Sequence, residues 1–119
     1  MRPVLDTCIL VDYLAGREDA KREMNRYQRP YISAITWMEV MMGAQTASDS
    51  ALISSFLMRF TVVEVDEAVR KEAIAVRREF KCALSDAIQY ATASLHNTLL
   101  VTRNASGFPA DNPMVRVPY

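Results

Sequence analysis

Pro3-Val4-Leu5-Asp6-Thr7-Cys8-Ile9-Leu10-Val11-Asp12-Tyr13-Leu14 passes from a short apolar run through an acid and a hydroxyl into apolar residues at helical spacing. Ile9, Leu10, Tyr13 and Leu14 recur on one face until Gly16, so the stretch reads as a strand handed directly to a helix. The same unit recurs along the chain. Asp19 to Arg26 reads as a solvated helix, and after Pro30 the run Tyr31-Ile32-Ser33 is a second strand. Trp37-Met38-Glu39-Val40-Met41-Met42 is too rich in unbranched side chains for a strand, and Gly43 allows a stop before a helix from about Ser48 to Arg59. Phe60-Thr61-Val62-Val63-Glu64-Val65 is a β-branched third strand, and Asp66 is a candidate cap for a long charged helix reaching about Phe80. Ser85-Asp86 opens a helix with Ile88, Ala91, Thr92 and Leu95 on one face, closed by Asn97. Thr98 to Thr102 is a fourth strand, and Met114-Val115-Arg116-Val117 between two prolines is an edge strand. This alternation predicts an α/β sandwich over residues 1–119 as one domain: a central, mainly parallel sheet of four to five strands with helices on both faces.

Composition narrows the function classes. Half of the 119 residues are apolar and 24% are charged, proportions that support a packed core and exclude a disordered or fibrous chain. The 14 basic and 14 acidic side chains cancel, so any affinity for nucleic acid has to come from local arginines or bound cations. Cys8 and Cys82 lie far apart and the single histidine is His96, which excludes a CxxC redox pair and a Cys/His zinc set. Both cysteines read as reduced packing residues. No apolar run is long enough to span a membrane, and an acid arrives at Asp6 too early for a secretion signal, so the expected location is the cytoplasm.

In parallel sheets ligands collect beyond the carboxyl ends of the strands. Asp6 follows the first strand, Glu39 lies a few residues past the second, Asp86 heads the helix before the fourth, and Asn104 follows the fourth. Gathered at one edge, three carboxylates would repel one another unless protonated or filled by cations. Oxygen ligands without histidine or thiolate favour Mg²⁺ or Mn²⁺ over zinc, and Mg²⁺ keeps waters and borrows oxygens from a substrate phosphate. Each acid also has a purely structural reading. Asp6 and Ser85-Asp86 stand where N-caps stand, and Thr36 and Glu39 have capping-box spacing. The two readings are compatible, and spacing does not separate them.

The blocks carrying these residues resemble a known family. Val4 to Leu14 is similar to the opening of the PIN-domain ribonucleases, and specifically of VapC-type toxins of bacterial toxin–antitoxin pairs. Ser33-Ala34-Ile35-Thr36-Trp37-Met38-Glu39-Val40 with Gly43 resembles the family's second block, and Leu84-Ser85-Asp86-Ala87-Ile88 with Ala91-Thr92-Ala93 the third. Leu100-Val101-Thr102-Arg103-Asn104 with Phe108-Pro109 resembles the fourth. Their order and spacing together are specific, over nearly the entire chain. The resemblance implies a PIN-like three-layer sandwich and an endoribonuclease that hydrolyses RNA with water activated by Mg²⁺ or Mn²⁺. Asp6, Glu39 and Asp86 are then the metal-binding acids, Asn104 takes the fourth position of the site, and Thr7 is the hydroxyl supporting metal or substrate. Gly107 departs from the pattern, since many relatives place an acid there. The departure puts a second metal in question, and an Asp introduced at Gly107 is expected to tighten it. The chain is also slightly short for the family. For a VapC-like toxin the resemblance further implies a homodimer and a VapB-type antitoxin presenting a basic residue to the acidic pocket.

Arg77, Arg78 and Lys81 near the end of the long helix, and Arg103 in the fourth block, are candidates for gripping the RNA backbone. For the first three, a solvated face paired with Glu72 or Glu79 is the competing reading. Tyr13 and Tyr90 fit core packing better than base stacking, and His96 fits a helix cap. Trp37, Met38, Met41, Met42 and Met58 suit either core filling or an adaptable partner surface. Two alternatives stand beside the toxin: a catalytically weakened PIN domain that binds RNA or a partner, and an RNA-processing nuclease that is not a toxin.

Overall fold

A computed structural model describes residues 1–119. Five short strands, β1 (Val4–Leu5), β2 (Tyr31–Ser33), β3 (Thr61–Val63), β4 (Leu100–Val101) and β5 (Val115–Arg116), form one sheet in the order β3-β2-β1-β4-β5. Every pairing is parallel. The connections hold six helices: α1 (Thr7–Leu14), α2 (Glu18–Met24), α3 (Ala34–Met41), α4 (Ala47–Leu57), α5 (Glu67–Phe80) and α6 (Leu84–Leu95). The strand order reverses direction at β1, with β2 on one side and β4 on the other, which makes their carboxyl ends the topological switch point.

Successive residues of a strand face opposite sides of the sheet, so even two-residue strands feed two cores. Val4 and Leu100 enter one cluster with Ala73, Val76, Ala87, Tyr90 and Phe108. Leu5, Ile32 and Val101 enter the other with Ile9, Leu10, Met24, Val40, Leu57 and Phe60. α5 and α6 therefore cover one face and α1 to α4 the other. Each fully buried Leu or Ile contributes about 1.5–3 kcal/mol relative to exposure, which is what clamps strands too short to hold by pairing alone. No helix is long and apolar enough to cross a membrane.

Two local expectations are corrected. The charged helix α2 is not wholly solvated: Glu23 is 4% exposed and accepts two hydrogen bonds, both 2.9 Å, from Arg116 on the edge strand β5. Charge alternation hid one acid that faces inward, because its partner is remote in sequence. The proposed pairing of Arg77, Arg78 or Lys81 with Glu72 or Glu79 is also absent; the α5 ion pair is Lys71 with Glu67. Asp66 does cap α5, its Oδ1 accepting from Val69 N at 2.9 Å. Tyr90 stacks on Phe108 inside the core, and His96 ends α6 with Nδ1 2.9 Å from the Thr92 carbonyl.

Candidate active site

The parallel register sets the site before any side chain is considered. Leu5 is paired with Val101, so the next residues, Asp6 and Thr102, leave the sheet side by side at the switch point. Thr102, 1% exposed, donates to Asp6 Oδ2 at 2.6 Å. The Cys8 thiol also donates to that oxygen, at 3.3 Å, and burial followed by the charge of Asp6 pushes the thiol's pKa up. Asp6 is the N-cap residue of α1 by position, yet its side chain makes no capping bond. Its carboxylate is instead directed by Thr102 and Cys8.

Glu39 reaches the same edge from α3. Ser33 begins that helix, its hydroxyl accepting from Ile35 N, so the capping-box reading of Thr36 and Glu39 fails. Thr36 is fully buried and stands 3.0 Å from the Thr7 hydroxyl, and Thr7 donates to Glu39 Oε1 at 2.8 Å. Thr7 thus ties α1 to α3 and fixes one oxygen of the second acid.

Asp86 lies in the first turn of α6, whose N-cap is Ala83 rather than Ser85. Its carboxyl is pushed above the usual carboxylate range by burial first, then by the charges of Asp6 and Glu39. The three acids therefore share one electrostatic basin. None belongs to any ion pair of the protein. Their oxygens form a hard donor set, yet no three His, Cys, Asp or Glu side chains converge closely enough to make a closed metal shell. The arrangement excludes a closed structural zinc centre.

Asn104 is exposed and joins the site through backbone contacts. Its N–H donates to Thr102 Oγ1 at 3.1 Å, while its side-chain oxygen accepts from Ser106 N at 3.3 Å. Arg103 is paired with Asp12 of α1, Nε to Oδ2 at 2.7 Å, and does not turn to the acids. Arg77 is exposed on α5, and its charge and that of Asp86 both act on Cys82. Arg78 is exposed on α5, and no contact joins it to the acids. At Gly107 an added Cβ would stand 2.7 Å from Cys82 Cβ, so the position expected to accept an acid has no room for any side chain without a backbone shift. Sequence reading missed Thr102, Cys8 and Asp12. A threonine directly after β4, level with the acid directly after β1, was the available signal for the first.

Between α3 and the end of β3, an apolar cleft of about 390 Å³ is lined by Ala34, Trp37, Met38, Val62 and Glu64. Met38 is 51% and Met42 81% exposed, a substantial apolar surface for helix α3 to leave open.

A family model described as PIN domain matches residues 4–109. Among solved structures, a toxin–antitoxin complex from Klebsiella pneumoniae is 38% identical over 98% of both chains, with a TM-score of 0.92. FitAcB from Neisseria gonorrhoeae is 24% identical over 97% of this chain and 96% of that one, with a TM-score of 0.80. VapBC2 from Rickettsia felis, bound to a promoter DNA fragment, shares the fold at 19% identity over 98% of both chains and a TM-score of 0.80. No curated protein matches the chain.

Proposed function

We propose, for a chain that belongs to the PIN domain family, that it is a Mg²⁺- or Mn²⁺-dependent endoribonuclease acting as a VapC-type toxin under a VapB-type antitoxin. The observation carrying this reading is the basin itself: Asp6, Glu39 and Asp86 stand at the switch point of a parallel sheet without a cationic partner, close enough to raise Asp86. These three acids are the residues that would hold the ion, with Asn104 beside them. A bound divalent ion supplies charge to an RNA phosphate and lowers the pKa of an attacking water. The protein's own contribution is orientation. Thr102 and Cys8 hold one oxygen of Asp6, and Thr7 holds one oxygen of Glu39, leaving the other oxygen of each acid without a hydrogen bond from the protein. Arg77 and Arg78 on α5, with Arg103 next to Asn104, are the positive charges this reading assigns to the RNA backbone.

The antitoxin reading is supported by the Klebsiella pneumoniae neighbour, whose description is a toxin–antitoxin complex and whose likeness spans both chains. The cleft at Trp37 and Met38, with exposed Met42 and Met58, suits protein partners: a second copy of this chain and the apolar side of an antitoxin segment. The catalytically weakened alternative draws on Gly107, whose contact with Cys82 closes the place of a further acid. The retained acids favour activity.

The deciding experiment uses purified protein, RNA and Mn²⁺. Cleavage is expected with Mn²⁺ or Mg²⁺, to vanish in EDTA, and to fall at least about a hundredfold in Asp86→Asn, beyond what loss of a merely supporting group costs. Unchanged cleavage by a folded Asp86→Asn protein would sink the assignment. Growth arrest on expression, relieved by a small protein encoded next to this one, separates toxin from processing nuclease.

A further inference from the structure

Arg103 lies near the carboxylate of Asp6, which belongs to no ion pair, and does not face it. Its backbone N is 3.4 Å from Cys8 Sγ, and that sulfur is 3.3 Å from Asp6 Oδ2, so Asp6 lies within the sweep of an arginine side chain. The guanidinium is instead held by Asp12, whose Oδ2 also accepts the Tyr119 hydroxyl at 2.9 Å. Asp12 is 15% exposed and Arg103 40%, so the carboxylate is the sheltered half of the pair and the guanidinium stays in contact with solvent. Arg17 also approaches Asp12, at 3.9 Å, but has a second carboxylate, Asp19 at 3.6 Å, and packs over the Tyr119 ring. Arg103 has no acidic partner but Asp12. If Asp12 were neutral, the nearest uncompensated negative charge would be the basin. An arginine fork on a carboxylate is a strong, geometrically specific pair, and there it would fill the space a divalent ion requires.

We propose that Asp12 is a positioning residue that holds Arg103 off the acidic basin and so keeps Asp6, Glu39 and Asp86 open for a divalent ion, with the Tyr119 hydroxyl orienting Asp12. The inference rests on the reading of those acids as metal ligands. It makes Tyr119 part of the device: its ring packs against the apolar cluster under α1 and its hydroxyl completes the set of partners around a single carboxylate oxygen.

The test is Mn²⁺ titration of RNA-free protein, read by the electron paramagnetic resonance signal of free Mn²⁺. Asp12→Asn keeps the shape and the acceptor for Tyr119, and is expected to bind Mn²⁺ about three- to tenfold more weakly, as when the basin is open in about a third to a tenth of molecules. Asp12→Asn/Arg103→Ala is expected to regain wild-type affinity, because the internal competitor is gone. Should Asp12→Asn lose its far-UV circular dichroism, Tyr119→Phe replaces it, with a smaller weakening that Arg103→Ala again removes. Wild-type affinity in folded Asp12→Asn overturns the proposal, and so does a double variant as weak as the single one. A wild-type protein that binds no Mn²⁺ overturns the metal reading, and the proposal with it, a result distinct from both.

Discussion

Thr102 places one hydroxyl, almost wholly buried, against the first acid of the basin at 2.6 Å. Replacing it with valine keeps the volume and removes the donor, leaving Asp6 Oδ2 only the weak thiol contact. Thr102→Val is expected to lower Mn²⁺ affinity or RNA cleavage about 10- to 100-fold, the usual consequence of losing a group that orients a metal ligand. Thr102→Ser restores most of it; titration and cleavage assays on the three proteins check the order. The carboxylates were legible in the sequence because acids directly beyond apolar runs are conspicuous. The hydroxyl was not, because threonine is common at strand ends and only the β1–β4 register shows that it meets Asp6. Gly107 is the opposite case, an absence that the sequence reads as a missing ligand and the fold explains as packing. Its closest neighbour would be Cys82 Cβ, so Gly107→Ala is expected to cost about 1–3 kcal/mol through overpacking, and less in a Cys82→Gly background. Thermal melts of the four proteins in that cycle test the contact, and additive losses would remove it.

Among the elements, α2 and β5 show how remote partners change a local reading. Glu23 has a carboxyl held below the ordinary value of 4.5, first by its hydrogen bonds from Arg116, against the opposing effect of burial, and with help from the Tyr27 hydroxyl. Because the folded pKa lies below the unfolded one, the unfolded chain takes up protons first as pH falls. The stabilisation is therefore complete above about pH 4.5 and is lost as pH drops through the folded value. Glu23→Gln is expected to lower stability at pH 7 by about 1.5–3 kcal/mol, the worth of charge-assisted hydrogen bonds, and to flatten the acid limb of the stability curve. Urea midpoints between pH 7 and pH 3 measure both, and parallel acid limbs for the two proteins would exclude the mechanism. Capping divided along the same line. Asp66 was legible as a cap because its partner Val69 is three residues away, whereas Asp6 has cap position and uses its side chain elsewhere.

For the whole molecule, two apolar clusters, one on each face of the sheet, hold the strands by side-chain packing, and Cys8, packed against one of them, also touches Asp6. EDTA is therefore expected to leave far-UV circular dichroism unchanged while abolishing cleavage. Mn²⁺ at about 100 times its dissociation constant is expected to raise stability by about 2.7 kcal/mol, through binding to the folded chain alone. A calorimetric transition indifferent to Mn²⁺ would deny the basin its ion. The sequence by itself determined the alternation of strands and helices, the two-sided sheet and the three acids, because periodicity, caps and breakers act over a few residues. Only the tertiary structure decided that Thr102 orients Asp6, that Glu23 is buried, that Gly107 has no room and that Arg103 is held by Asp12. Each of those depends on a partner brought from a distant part of the chain, and local propensity carries no record of which distant segment will lie alongside.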